Sequence, residues 1–484
     1  MPAKLAPMSQ PPAPPAPPPP APPSPSEEER RKHLFEQVVR AEQALIARRF
    51  NEAAGICQDV LEAAPEFPQA LAVLGTVFGH RGDLARAATL LEAAIAREPR
   101  IASWHSTLSG LYRMQYRFDE AVRAAERAVE MEPRNARFQV NLGKALMDRG
   151  DRQRAIEAFL AALTEEPAHA EAHLAIGQIL LAQGEMKPGW LEYEWRNQLE
   201  QARGMLPRMA APPWNGMALP GERILLVGDQ GYGDTIQFAR YIPQVAERCG
   251  EVVLGCSPDL ARLLAPIPGV KSVHSRWDLI PPYRVYALLS SLPGIFGTEL
   301  DTIPAEIPYL SVPPALVRKW AEKLDEALPG RQLRVGLAWA GRPTHPNDRR
   351  RSMRLADLAP LARLSDVALV SLQQRFPQRD QPSAHLVPLI DLTANLTDFA
   401  ETAAAIVNLD LVVTVDTSIS HLAGALGKPV WVMLPTPSDW RWMLERSDSP
   451  WYPTMRLFRQ QRGGDWSGVV EAIAAELDRL PRRF

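Results

Sequence analysis

Three short segments hold residue types whose spacing can do chemistry. The first is Gly228-Asp229-Gln230-Gly231-Tyr232-Gly233-Asp234, read as leaving a strand and opening a helix. Its glycines permit a tight turn with exposed backbone N–H groups, a geometry that suits an anion. The G-x-x-G-x-G spacing is not the dinucleotide fingerprint. It is not a Walker loop either, since Lys and Ser/Thr do not follow the last glycine. Asp234 at that helix start has a plain reading as a cap or dipole partner and a functional one as a base. The second segment is Asp416-Thr417-Ser418-Ile419-Ser420-His421-Leu422-Ala423, again between strand and helix. Its amides and hydroxyls can bind a diphosphate, with His421 one turn in; it reads equally as an N-capped helix with a half-buried histidine. The third is the loop holding Arg342, Arg349, Arg350, Arg351 and Arg354, either a solvated charged face or a phosphate-binding loop.

The elements that must position these residues alternate. Short apolar runs at Arg223–Val227, Glu251–Leu254 and Val270–Val273 read as strands, separated by helices over Thr235–Arg248 and Leu260–Leu264. A polar helix from Pro314 to Leu328 reads as a crossover. A second alternation comes after it, with strands at Val335–Trp339, Val367–Ser371, Leu411–Val415 and Val430–Met433. Two parallel sheets wrapped by helices are expected, as two Rossmann-like lobes of residues 222–313 and 314–484. Such sheets place ligands at the carboxyl ends of their strands, where all three segments fall.

The half before residue 197 repeats. Pro65, Pro99, Pro133 and Pro167 stand 34 residues apart, the tetratricopeptide period. Ala53, Ala87, Ala121 and Ala155 keep that register, as do Val60, Ala94, Ala128 and Ala162. Each repeat is expected as a helical hairpin whose small residues let two helices approach and whose proline stops the second. A fifth unit from Ala170 ends in the aromatic stretch Gly189–Arg196, expected to cap the solenoid. The repeats thus span 27–196 and a Pro/Gly-marked linker spans 197–221. Residues 2–25, almost all Pro, Ala and Ser, predict an extended tail (1–26) that buries no core. The predicted class is therefore an α-solenoid followed by two α/β lobes.

A net charge of −2, with 46% hydrophobic and 23% charged residues, describes an ordinary globular chain. That balance excludes broad electrostatic binding to nucleic acid or an anionic membrane. No apolar run reaches membrane-spanning length and no export signal is read at the N-terminus. The three cysteines lack metal-type or redox-type spacing. A cytoplasmic protein is the expectation.

Residues 214–460 resemble bacterial tetratricopeptide-repeat glycosyltransferases of the two-lobed GT-B type. These are related to lipopolysaccharide heptosyltransferases and, more distantly, to protein O-linked N-acetylglucosamine transferases. The resemblance is carried by Gln230–Tyr241, Ser291-Leu292-Pro293, Asp348–Ser352, Ser371-Leu372-Gln373, the 416–423 segment with Gly427-Lys428-Pro429, and Pro450–Arg456. It implies that Asp234 is the general base and that Arg351, Gln373, Asp416, Thr417, Ser418 and His421 hold a nucleotide sugar. Gly231, Gly233 and Gln237 would belong to the anion or acceptor loop. It departs from the heptosyltransferase pattern at Ser418, where glycine is usual, and at Arg351, where lysine is typical. The asparagine ladder of the mammalian-type enzyme is also missing, since Val73, Thr107, Asn141 and Ala175 hold those positions.

The resemblance implies inverting transfer from a nucleotide-sugar co-substrate to a hydroxyl, with no metal or other cofactor and with interlobe closure excluding water. The acceptor would be a protein or peptide in the repeat groove, flagellin or another surface protein by analogy. Two other readings are a catalytically inactive repeat scaffold and a transferase acting on a lipid-linked saccharide. Trp440, Trp442 and Trp451 read either as sugar-facing platforms or as core.

Overall fold

The 34-residue register appears as a row of helical hairpins. The computed structural model describes residues 26–202, 204, 206, 208–330 and 332–480; the Pro/Ala-rich stretch 2–25 lies outside them. Two compact units are present, Met1–Leu111 and Tyr112–Phe484.

In the first unit the helices Glu27–Ile46 and Phe50–Ala63 form one hairpin, and Pro68–His80 and Leu84–Arg97 form the next. Ser26 starts the first helix by a reciprocal cap with Glu29, and the acids Glu27–Glu29 occupy the first turn, where the helix dipole favours them. Pro65 and Pro99 each stand two residues beyond the end of a second hairpin helix. A proline there lacks the N–H needed to continue the helix. Ala53 and Ala87 are fully buried where paired helices cross.

The second unit continues the pattern. Phe118–Met131, Ala136–Arg149, Arg152–Glu165 and Ala170–Gln183 lead to the short helix Met186–Tyr193. Ala121 and Ala155 are again fully buried. These repeats do not stand apart from the α/β half of the unit. Leu181, Met186, Trp190 and Tyr193 belong to the same apolar core as the first-lobe strands and Trp440, Trp442 and Trp451. The helix Met186–Tyr193 is thus more than a polar cap, because it covers apolar surface of the lobes.

The lobes are two all-parallel sheets. Strands β1 (Glu222–Val227), β2 (Gly250–Gly255), β3 (Val270–His274) and β4 (Val285–Leu288) run in the order β3-β2-β1-β4. Strands β5 (Leu333–Ala338), β6 (Val367–Ser371), β7 (Leu389–Asp391), β8 (Leu411–Val415), β9 (Val430–Leu434) and β10 (Met455–Arg459) run β7-β6-β5-β8-β9-β10. The second order is the doubly wound one, and the first is its opening part. In each sheet the chain reverses direction beside the first strand, between β1 and β4 and between β5 and β8, where a crevice opens at the carboxyl ends. Strands β6, β8 and β9 are buried at every position, so they read as continuous apolar runs. Alternate residues serve two cores: Val430, Val432 and Leu434 face the interlobe core, and Trp431 and Met433 the outer one.

Three strands escaped sequence reading: β4, β7 and β10, of four, three and five residues. The helix expected over Thr235–Arg248 is broken. It runs Tyr232–Phe238, tightens to a 3₁₀ turn at Ala239–Tyr241, and resumes at Ile242–Cys249, with Pro243 in the new first turn. The crossover helix Pro314–Ala327 is where the pattern put it. Among the described residues no helix is long and apolar enough to cross a membrane.

Candidate functional site

The two crevices open into one cavity of about 1180 Å³. Its walls are the β1 loop with Gly231, Gly233 and Asp234, and the second-lobe loops with Arg351, Gln373 and Ser418. A third wall comes from the later repeats, through Arg149, Arg152, Gln178 and Ile179. The two helix starts touch. A Cβ placed on Gly233 would lie 2.8 Å from His421 Cδ2, so only glycine lets the first-lobe helix approach this closely.

Asp234 occupies the third position of its helix. Its Oδ2 accepts from Gly231 N at 2.9 Å, the plain capping role. Its Oδ1 accepts from Arg441 Nη2, and its side chain remains 23% exposed to the cavity. Both readings of Asp234 are therefore met by one side chain, since each oxygen keeps a lone pair toward the cleft. Gln237, expected in the acceptor loop, is instead fully buried beneath it. Its Oε1 accepts from Arg441 Nε at 2.8 Å. One further helical turn carries it inward, away from the loop.

Arg351 reaches the helix start of the second lobe. Its Nη1 donates to the carbonyl of Asp416 at 3.0 Å, while its Nε is buried without a hydrogen-bond partner. The side chain lies across Gly341, where an added Cβ would meet Arg351 Nη2 at 2.6 Å. The neighbouring arginine does something else. Arg350 forms a bidentate pair with Asp148 at 2.9 and 2.8 Å, and Arg113 joins that carboxylate at 2.8 Å. In the arginine loop, then, Arg350 docks the repeats and Arg351 faces the cavity; Arg342 lies over the Tyr232 ring.

Burial, and then the charge of Asp439, push the Asp416 carboxyl up to about 6, against the pull of Arg351. Thr417 caps its own helix, accepting from Ile419 N at 3.3 Å. Ser418 is half-buried on the cavity wall. His421 is buried, with Nδ1 3.0 Å from Tyr452 Oη and its ring stacked on Trp442 at 5.3 Å. Burial, with Arg441, Arg240 and Arg351 nearby, holds its pKa well below the ordinary histidine value. The ring is therefore neutral at physiological pH. Gln373 braces the strand ends: its Oε1 accepts from Trp339 N and Ala340 N at 3.1 and 3.0 Å. The three tryptophans are packing residues, 4%, 0% and 1% exposed at 440, 442 and 451, and Trp440 also edges the cavity.

Sequence reading missed Arg441 and Asp439. Both lie just after β9, on the carboxyl edge of the sheet, and that placement was the available signal. Arg441 donates to Asp439 Oδ1 at 2.9 Å as well as to Asp234 and Gln237. Also missed was Arg240, fully buried, whose Nη1 donates to Trp451 O at 2.7 Å and joins the lobes. Among the described residues, no group of three or more His, Cys, Asp or Glu side chains is arranged to hold a metal ion.

Residues 383–439 match the Glycosyltransferase family 9 (heptosyltransferase) family. Residues 39–105, 111–163 and 140–187 match the tetratricopeptide repeat. The chain joins tetratricopeptide repeats to a glycosyltransferase family 9 segment. That segment contains Asp416, Thr417, Ser418, His421 and Asp439 but neither Asp234 nor Arg351. Protein FlbA of Caulobacter vibrioides is 28% identical over 326 residues, 60% of this chain and 52% of that protein. The chain thus spans about half the length of the curated relative it matches. Among solved structures, a MamA chain is 24% identical with a TM-score of 0.31, over 35% of this chain and 97% of that one. Pseudomonas aeruginosa pilF is 22% identical with a TM-score of 0.33, over 36% and 80%.

Proposed function

We propose that the chain is an inverting, metal-independent GT-B glycosyltransferase. It moves a sugar from a nucleotide sugar to a hydroxyl of a protein acceptor. One observation carries the reading: a carboxylate on one lobe and an arginine-flanked helix start on the other open into a single cavity whose third wall is the repeats. The family 9 segment, which supplies that helix start, supports the same chemistry.

In this reading Asp234 takes the proton of the acceptor hydroxyl, a step worth about 10²–10⁴-fold when the base is positioned. The acceptor oxygen bonds to the anomeric carbon as the bond to the nucleotide breaks. Negative charge then grows on the leaving phosphate, opposite Arg351 and the amides at Ser418. Attack from the Asp234 side and departure on the Arg351 side give inversion. Because Arg240 and a shared core join the lobes, the cavity-mouth loops, rather than a hinge between lobes, exclude water. The repeat wall favours a polypeptide acceptor, since a client lying along the repeats leads directly to Asp234.

The test is thermal stabilisation by a panel of UDP, GDP, ADP and CMP sugars with EDTA present, followed by mass analysis of candidate protein acceptors. Saturable stabilisation that is lost in Arg351→Ala, with a protein product one sugar heavier, supports the reading. No stabilisation by any panel member, or transfer only when a divalent metal is restored, counts against it.

A further inference from the structure

The buried guanidinium of Arg441 has no part in the bond-making of the proposed reaction, yet each of its three nitrogens has a partner. Nε donates to Gln237, Nη1 to Asp439, and Nη2 to both Asp234 and, at 3.4 Å, Tyr193 Oη. One guanidinium thus serves two carboxylates, Asp234 and Asp439, whose side chains are 23% and 33% exposed. The trio carries one net negative charge.

We infer that Arg441 and Asp439 are positioning residues for the base, forming with Asp234 a charge-balanced cluster that can accept one proton without stranding a buried cation. The inference rests on Asp234 being the base. When the acceptor O–H bond breaks, its proton goes to Asp234 and the oxygen's electron pair goes to the anomeric carbon. The pair of the breaking C–O bond leaves with the nucleotide. Arg441 and Asp439 then remain as a neutral pair. A lone Asp–Arg pair would resist the same step, because protonation would leave an unpaired buried charge. The Arg441 pKa is accordingly held well above its ordinary value by Asp439 and Asp234, although burial works against it.

The other groups facing Asp234 are few. Tyr193 comes from the last repeat helix, His345 from the arginine loop, and Asp229 from the same β1 loop. None is a cation at neutral pH: burial and Arg351 lower His345, and burial raises Tyr193. Arg441 is therefore the cation that sets the charge state of Asp234. Through Tyr193, which also exchanges hydrogen bonds with Gln230 at 3.2–3.3 Å, the last repeat helix touches this cluster directly.

The test reads Asp234 without any donor. A water-soluble carbodiimide with glycine ethyl ester modifies protonated carboxyls, and mass spectrometry of the peptide carrying Asp234 gives the pH midpoint of its modification. Asp439→Asn leaves Asp234 as the sole counter-charge to Arg441, so the midpoint should fall by about one pH unit. Arg441→Gln removes the cation, so it should rise by about as much. Arg441→Lys keeps the charge and should leave the midpoint near wild type. Should Arg441→Gln not fold, the Asn and Lys variants still decide the matter. Shifts of opposite sign support the cluster; a common midpoint in Asp439→Asn and wild type overturns it. Absence of sugar transfer by the wild type would count against the transferase reading alone, since this titration needs no turnover.

Discussion

Gly341→Ala tests the role of Arg351 without touching its charge. The backbone at Gly341 is not in the left-handed region, so alanine is conformationally allowed. Its Cβ, however, would lie 2.6 Å from Arg351 Nη2, 2.8 Å from Nε and 2.5 Å from Asp348 Oδ1. All three atoms end flexible side chains, so they can give way. The fold should lose less than about 1 kcal/mol, partly offset by the stiffer unfolded chain. Arg351 cannot stay across Gly341, and so its contact with the Asp416 carbonyl and its aim at the cavity are lost. If Arg351 holds the donor phosphate, the loss is that of one charge-assisted hydrogen bond, about 1.5–3 kcal/mol. That is about 10- to 150-fold in Kd. The assay is calorimetric titration with whichever of UDP, GDP, ADP or CMP binds the wild type, with Arg351→Ala alongside. Both variants should weaken binding similarly, while the Tm of Gly341→Ala stays within about 2–4 °C. Wild-type affinity in a well-folded Gly341→Ala would refute the phosphate role.

Charges elsewhere give two further outcomes. Asp148→Ala leaves Arg113 and Arg350 facing each other beside a carboxylate site that is only 3% exposed. It should cost about 3–5 kcal/mol, read as a Tm lower by roughly 6–20 °C. Asp416 has its pKa raised from 3.8 to about 6, so the fold binds that proton more tightly than the unfolded chain does. Stability contributed by the protonated form is therefore lost as pH rises between those values. Asp416→Asn should match the wild type near the bottom of that window and melt at least about 2 °C higher above it, measured as Tm against pH.

Much of the architecture was legible because its causes are local. A proline that stops a helix and an alanine that lets two helices touch act wherever they stand, so the 34-residue period exposed the repeats. Strands buried on both faces, such as Leu411–Val415, announce themselves as apolar runs. The short strands β4, β7 and β10 did not, because three to five residues give too little pattern to separate strand from loop. The break at Ala239–Tyr241 was hidden too, since Pro243 falls in the first turn of a new helix, where proline is welcome.

The site was legible in part. Asp234, Arg351 and Ser418 come after strands, and the carboxyl edge of a parallel sheet collects such residues. What no local pattern could reveal is which arginine does what. Arg350 and Arg351 are adjacent, yet one turns to Asp148, 202 residues away, and the other to Asp416. Gln237 looked like part of a loop and is buried, because one more helical turn rotates it under Arg441. Arg441 itself reaches Asp234 across 207 residues, a contact that only the folded chain makes.

The most direct test of the central claim is turnover by Asp234→Asn. Asp439 still neutralises Arg441 in that variant, so fold and nucleotide binding should survive. With a nucleotide sugar that stabilises the wild type and a protein acceptor, the account predicts a rate lower by about 10²–10⁴-fold, with the ligand-induced Tm shift retained. Transfer at the wild-type rate by the folded variant would contradict it.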